Sequence, residues 1–175
     1  MTSSNDRVAA SKPVISWQVM PSTLGPVLIA VSDRGVCCVA FGEGGDDVCA
    51  RFPDHECRAA GGEYATLFAH IIAAIEAPGG DHSHIVLDPK GTAFQRRCWQ
   101  ALRDIPMGET RSYGEQAAAL GNPKASRAVG SANAANPVAV LIPCHRVVPA
   151  GGGLGGYAYG SGIKAELLRR EGVLL

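Results

Sequence analysis

Leu141-Ile142-Pro143-Cys144-His145-Arg146-Val147-Val148 is the stretch around which the rest of the chain is read. The apolar run from Val138 to Ile142 predicts a short buried strand. Pro143 ends it, because proline has no N–H to give a sheet. Cys144 and His145 follow at once, so a thiol and an imidazole are expected at the mouth of a buried strand. Gly151-Gly152-Gly153-Leu154-Gly155-Gly156-Tyr157 comes next. It is too glycine-rich for a strand or helix and predicts a loop whose backbone approaches something closely. A last helix is expected from Ile163 to Arg170, with Gly172 suited to its C-terminal stop. Glu171 is out of place by local rules. It lies near the apolar face set by Leu167 and Leu168, and a negative charge in a last turn opposes the helix dipole. Either it is exposed at a frayed end, or a cation or hydrogen-bond network holds it.

These residues permit nucleophilic chemistry. A free thiol has a pKa near about 8.5, so little thiolate exists at neutral pH without a base. His145 is the nearest base, but neighbours on a strand point opposite ways. A bridging water is therefore expected between them. Glu171 would orient the imidazole from its other nitrogen, giving a carboxylate–imidazole–water–thiol relay on the logic of a catalytic triad.

Working outward, Ser112-Tyr113-Gly114-Glu115 is a capping box that opens a short helix to about Leu120. Gly121 ends it. Asn122 can cap a second helix, from Pro123 to about Asn133. Two short helices joined by a glycine turn form a helix-turn-helix signature. Upstream, Thr92 caps a helix from Ala93 to Asp104, with Cys98 on its apolar face as a buried small hydrophobe. Asp88-Pro89-Lys90-Gly91 is the expected boundary between an N-terminal half, 1–89, and a C-terminal half, 90–175. The first half holds three apolar runs, Val14 to Met20, Pro26 to Val31 and Val36 to Phe41. Ser32 to Gly35 forms a hairpin turn. A glycine and acid loop from Gly42 to Asp47 and a helix from Glu63 to Ala77 follow, then a short strand, Ile85-Val86-Leu87. Residues 1–12 are expected to be frayed. The fold class is therefore α/β in composition and α+β in arrangement: a small antiparallel sheet with a helix, then a mostly helical part.

Composition is ordinary for a globular chain, 46% hydrophobic and 18% charged. No apolar run approaches the roughly 20 residues of a membrane span. Met1 to Arg7 shows no basic start leading into an apolar core, so no secretory signal is expected, and the expected compartment is the cytoplasm. The six cysteines should then be reduced. Adjacent Cys37 and Cys38 should face opposite sides of a strand. His82 and His84 read as surface histidines, and no metal or other cofactor is expected. Net charge is zero. Residues 1–89 nevertheless carry five Lys/Arg against eleven Asp/Glu, and residues 90–175 the reverse, eleven against five. That asymmetry of −6 and +6 suggests that the second half meets a polyanion.

Residues 91–172 resemble the methylated-DNA–protein-cysteine methyltransferases, the O6-alkylguanine-DNA alkyltransferase family. The shared motifs are Gly91-Thr92-Ala93-Phe94-Gln95, Ile105-Pro106-Met107-Gly108-Glu109-Thr110, Ser112-Tyr113, Arg127-Ala128-Val129-Gly130, Asn136-Pro137 and Pro143-Cys144-His145-Arg146-Val147. Residues 14–88 look less specifically like the family's N-terminal domain. The resemblance implies a ribonuclease H-like N-terminal domain and a winged helix-turn-helix C-terminal domain. It implies single-turnover DNA repair, in which the alkyl group of O6-alkylguanine, and of O4-alkylthymine, passes irreversibly to Cys144.

Further roles are implied the same way. His145 and Glu171 would activate Cys144, and Asn136 would brace the turn beside it. Tyr113 would hydrogen-bond the extruded guanine. Arg127 would fill the space of the flipped nucleotide, with Ser112, Ala128, Asn133 and Lys124 also at the DNA. Val147, Gly155, Tyr157 and Ala158 would line the base pocket. The partner would be double-stranded DNA bound by a monomer, with no membrane. Ala158, Tyr159 and Asn133 depart from common family residues, and Tyr159 would narrow the pocket against large alkyl groups. Three other readings remain: a non-catalytic damage binder, which would lack the cysteine; a cysteine hydrolase, which would turn over; and a helix-turn-helix regulator, which would bind sequence-specifically.

Overall fold

The computed structural model describes residues 10–175; the fraying expected of residues 1–9 lies outside them. Strands β1 (Val14–Met20), β2 (Val27–Val31) and β3 (Val36–Phe41) fall on the three expected runs. They form an antiparallel meander joined by the turn at Ser32–Gly35. A fourth strand, β4 (Glu56–Ala59), pairs with β1 in parallel, giving the order β3-β2-β1-β4. The Gly42–Asp47 loop is shorter than expected, because the Asp47 carboxylate accepts the Gly44 N–H (2.8 Å) at the start of helix α1 (Gly45–Arg51).

β2 and β3 are buried along their whole length because both faces are covered. Val27, Ile29 and Val31 share one cluster with Phe68, Ile71 and Ile75 of helix α2 (Ala65–Glu76), which follows a 3-10 turn at Gly62–Tyr64. Leu28, Ala30 and Ala40 face the other way, onto Val48 and Phe52 beside α1. Cys37 and Cys38 lie in that second cluster together, contrary to the alternation expected of neighbours. The register slips between Ala30 and Val31, and such a bulge turns two successive side chains to one side. Ile85–Leu87 forms a single parallel bridge, Val36 to Leu87, and no strand; Val86 is exposed.

Helix α3 (Ala93–Arg103) begins at the Thr92–Gln95 capping box. Its Trp99 and Leu102, with Ile105, belong to the same cluster as the inner face of the sheet, so one core runs across residue 89. Cys98 is buried on the other side, against Ala117, Val129 and Ala132. These come from helix α4 (Tyr113–Ala119), opened by the Ser112–Glu115 box, and helix α5 (Ser126–Ala134). α5 starts later than Asn122 and Pro123 suggest. Asn122 sends its N–H back to Ala117 and takes the N–H of Ala125, so residues 122–125 form a turn. Strands β5 (Arg111–Ser112) and β6 (Val147–Val148) pair in parallel and bring the start of α4 beside the Cys144 segment. Helix α6 (Ser161–Arg170) closes the described chain. Gly172, with φ +81°, lets Val173 N–H reach back to the Leu168 carbonyl. No described helix is long and apolar enough to cross a membrane.

Candidate active site

The strand expected over Val138–Ile142 is not formed. Val138 bridges to Val39 and Ala139 to Ile142, and between them the chain turns through Val140 with φ +69°. Asn136 builds this turn from inside. Its amide nitrogen donates to the Ile142 carbonyl (2.7 Å) and its amide oxygen accepts from Val138 N–H (3.0 Å). The same nitrogen lies 3.2 Å from Cys144 Sγ. Cys144–Arg146 is then one 3-10 turn, so Cys144 and His145 diverge by roughly a third of a revolution. Cys144 is partly buried and opens to a pocket, while His145 is fully buried behind it.

His145 Nε2 lies 2.8 Å from Glu171 Oε1. Burial alone would raise the Glu171 carboxyl, but hydrogen bonds from His145 and Arg146 outweigh it and bring the pKa down to about 2. An ionised carboxylate only accepts, so Nε2 carries the proton and Nδ1 is left with a free lone pair. Nδ1 is buried and meets no protein donor or acceptor among the described residues. Burial lowers the His145 pKa and Glu171 partly restores it, while Arg146 and Lys164 lower it further. The imidazole is thus held neutral, in the tautomer able to take a proton. Glu171 is not frayed. Arg146 donates Nε to Oε2 and Nη2 to Oε1, both at 2.9 Å, and Nη1 to the Ile105 carbonyl at 2.6 Å.

Burial raises the Cys144 thiol, opposed by the Asn136 hydrogen bond and the Lys164 charge. Lys164 and Arg146 carry no site role in the sequence reading. Lys164 is fully buried, with Nζ donating to the carbonyls of Val147 (2.7 Å) and Gly156 (3.2 Å). It fastens the glycine-rich loop to β6. A lysine on a helix normally signals solvent, and the one local hint was its place three residues before Leu167.

The pocket in front of Cys144 measures about 320 Å³. Its lining comprises Tyr113 of α4, Gly130, Asn133 and Ala134 of α5, Asn136, and Gly156 to Tyr159 of the glycine-rich loop. Gly155 and Val147, expected in the lining, are not part of it. Gly155 has φ +70° and no room for a Cβ, which would lie 2.9 Å from the Pro149 ring, and Val147 is buried with its carbonyl taken by Lys164. Tyr159 packs edge-on against Phe41 and Tyr157, with centroids 5.4 and 5.6 Å away.

Arg127, Ala128 and Lys124 lie exposed on α5 and the turn before it. Ser112 is half-buried at the start of α4, and its hydroxyl accepts the Glu115 N–H in the cap. Asn133 is buried in the pocket lining, and its amide exchanges two hydrogen bonds with Gln116 (3.1 and 2.8 Å), so its polar end is engaged within the helix pair. His84 Nε2 lies 3.2 Å from His70 Nδ1, away from this pocket, and His82 lies apart from it too.

Comparison with known proteins agrees with this geometry. Residues 93–173 match the family described as 6-O-methylguanine DNA methyltransferase, DNA binding domain. A methylated-DNA–protein-cysteine methyltransferase of Methanosarcina acetivorans is 41% identical over 162 residues, covering 89% of this chain and 97% of the relative. The bifunctional transcriptional activator/DNA repair enzyme Ada of Escherichia coli is 40% identical over 175 residues; the match covers 98% of this chain and 49% of Ada. The crystal structure of Mycobacterium tuberculosis OGT in complex with DNA superposes with a TM-score of 0.70 at 37% identity, over 90% of this chain and 93% of that one. With a pocket cysteine next to a buried imidazole–carboxylate pair and 41% identity along nearly all of a relative, this chain belongs to the methylated-DNA–protein-cysteine methyltransferase family.

Proposed function

We propose that Cys144 is the acceptor of this family's reaction in the present chain, taking the alkyl group from O6 of guanine in duplex DNA once and irreversibly. The observation that carries this is the His145–Glu171 contact. It leaves the buried His145 Nδ1, on the residue next to the pocket cysteine, as an acceptor without a partner among the described residues. A water between Cys144 Sγ and Nδ1 passes the thiol proton to the imidazole. The sulfur attacks the alkyl carbon, an S–C bond forms, and the C–O6 bond breaks. Guanine leaves with the electron pair and takes up a proton, with Tyr113 at the pocket wall to donate a hydrogen bond. The product thioether has no leaving group that water displaces readily, so each molecule acts once.

A cavity of about 320 Å³ is near the lower end of small-molecule sites and suits one flat base. The reacting atom is inaccessible within a duplex, so the nucleotide must turn out, at a cost of a few kcal/mol. Arg127, exposed on α5 three residues before Gly130 of the pocket lining, would fill the vacated stack, as minor-groove proteins do with inserted side chains. Lys124 and the positive second half supply phosphate contacts that ignore sequence. O4-alkylthymine presents the same alkyl–oxygen bond and is proposed as a second substrate.

The test is intact and peptide mass after mixing with an oligonucleotide that contains O6-methylguanine. One added methyl on the Cys144 peptide, saturating at one per protein and absent in Cys144→Ala, is the expected result. Bound DNA with no adduct would leave a damage sensor instead.

A further inference from the structure

Arg170 lies outside the relay, yet its side chain is only 13% exposed. It donates Nη1 to the Ile75 carbonyl (3.0 Å), Nη2 to Thr23 Oγ1 (2.7 Å) and Nε to Glu166 Oε1 (2.9 Å). Nη1 also lies 3.4 Å from Glu76 Oε2. Thr23 in turn gives its N–H to Glu76 Oε1 at 2.7 Å and its hydroxyl to Oε2. Three pieces distant in sequence therefore meet on one guanidinium: the β1–β2 turn, the C-terminus of α2 and the last turn of α6. Ile75 is in the final turn of α2, where carbonyls lack helical partners and a cation is favoured.

The next residue is Glu171. Successive side chains on a helix are about 100° apart, so the end of α6 shows one side chain to the N-terminal half and the next to His145. Beyond Glu171, the Val173 N–H returns to the Leu168 carbonyl of α6, while Leu174 and Leu175 are exposed. Besides its bonds to His145 and Arg146, the carboxylate's position is therefore set from α6.

We infer that Arg170 is a positioning residue for alkyl transfer. Its clasp on Thr23, Ile75 and Glu76 fixes the last turn of α6 so that Glu171 reaches His145, an inference that rests on the relay proposed above. It gives the first half of the chain a part in the chemistry through residues that do not line the Cys144 pocket. The relay's three hydrogen bonds at 2.8–2.9 Å leave little slack. A displacement near 1 Å in such a constellation slows reactions by about 100-fold.

The experiment compares single-turnover transfer from an O6-methylguanine duplex, duplex affinity and melting temperature for Arg170→Ala, Arg170→Lys, Glu76→Gln and Thr23→Val, with Glu171→Gln as reference. Arg170→Ala should slow transfer by about 10- to 100-fold with affinity within about two-fold. Arg170→Lys should recover part of the rate. Glu76→Gln and Thr23→Val should each slow transfer less, and Glu76→Gln should add little once Arg170 is gone, because the groups act as one unit. The acid limb of the rate–pH profile should move to lower pH in Arg170→Ala, as in Glu171→Gln. The groups facing His145 are Glu171, Arg146 and Lys164, and only Glu171 supports its basicity.

A lowered melting temperature with an unchanged transfer rate would overturn the inference and make Arg170 only a tie between halves. A loss of rate matched by a loss of affinity would overturn it as well. If Arg170→Ala does not fold, unchanged transfer in both Glu76→Gln and Thr23→Val overturns it. If Glu171→Gln itself transfers normally, the relay falls; if only the Arg170, Glu76 and Thr23 variants do, the relay stands and the clasp alone is wrong.

Discussion

Glu171→Gln keeps the size of a buried side chain and removes its charge. In the parent chain the carboxylate takes three hydrogen bonds, one from His145 and two from Arg146. An amide oxygen can keep about one of these, and the amide N–H₂ then faces a donor. Two charge-assisted bonds at roughly 1.5–3 kcal/mol each are lost. The variant also leaves the Arg146 guanidinium, 16% exposed, without its counter-charge. Part of this is offset because no carboxylate has to be desolvated, so a net loss of about 2–4 kcal/mol is expected. For a chain of this size that lowers Tm by roughly 5–15 °C.

Transfer should fall further than stability does. The amide can donate to His145 Nε2 and move the imidazole proton to Nδ1, which removes the base. Loss of the right tautomer costs up to about 10⁴-fold in the serine protease triad. The pH dependence carries the sign. Folding lowers the Glu171 pKa from 4.5 to about 2. A carboxyl depressed by folding contributes fully above its unfolded pKa and loses its contribution as pH falls through the folded value. The stability gap between parent and variant should therefore be full at pH 7, shrink below about pH 4.5 and close near pH 2. Denaturant titrations at pH 7, 4 and 3, with single-turnover transfer at pH 7, measure both effects. Equal stability at pH 7, or a gap that stays constant into acid, would refute the ion-pair account.

Arg127→Ala should slow transfer from duplex DNA at least 10-fold while transfer from a free O6-benzylguanine base stays within about two-fold; equal losses on both substrates would remove the intercalation role. Lys164→Met leaves the carbonyls of Val147 and Gly156 without their buried donor, so a loss of about 2–4 kcal/mol and slower transfer are expected, read by thermal melts and single-turnover kinetics. Tyr159→Ala opens the edge of the pocket, and the ratio of benzyl to methyl transfer should rise by about 10-fold or more; an unchanged ratio would show that Tyr159 does not limit the size of the alkyl group.

Features set by neighbouring residues were readable in the chain. The boxes at Thr92–Gln95 and Ser112–Glu115 start their helices as expected, since cap and partner are three residues apart. The three strands β1–β3 fall where the apolar runs and the Ser32–Gly35 turn put them. What escaped depends on distant partners. β4 exists because β1 offers it a parallel edge, and Glu56–Ala59 has no apolar pattern of its own. Val138–Ile142 is as apolar as a strand, yet the Asn136 amide folds it into a turn. Cys144, His145 and Glu171 stood out because thiol, imidazole and misplaced carboxylate are chemically conspicuous. Lys164 and Arg146 did not, because nothing local says that a cation will be buried. Asn133 was visible as a departure, but its partner Gln116, seventeen residues earlier, was not.

The core that runs across residue 89 constrains how such chains can diverge. Trp99, Leu102, Val138 and Ile142 fill the same space as Val27, Ile29, Phe68 and Ile71. A change of volume on one side of that seam has to be matched on the other, at costs of 1 kcal/mol and upward for each methylene misfit. Arg127 and Ala128 are exposed and are not members of that core. Hybrids that exchange whole halves between relatives should therefore fail through mismatched interiors, whereas hybrids that exchange only the outer face of α5 should keep the interior and change how the protein meets its DNA.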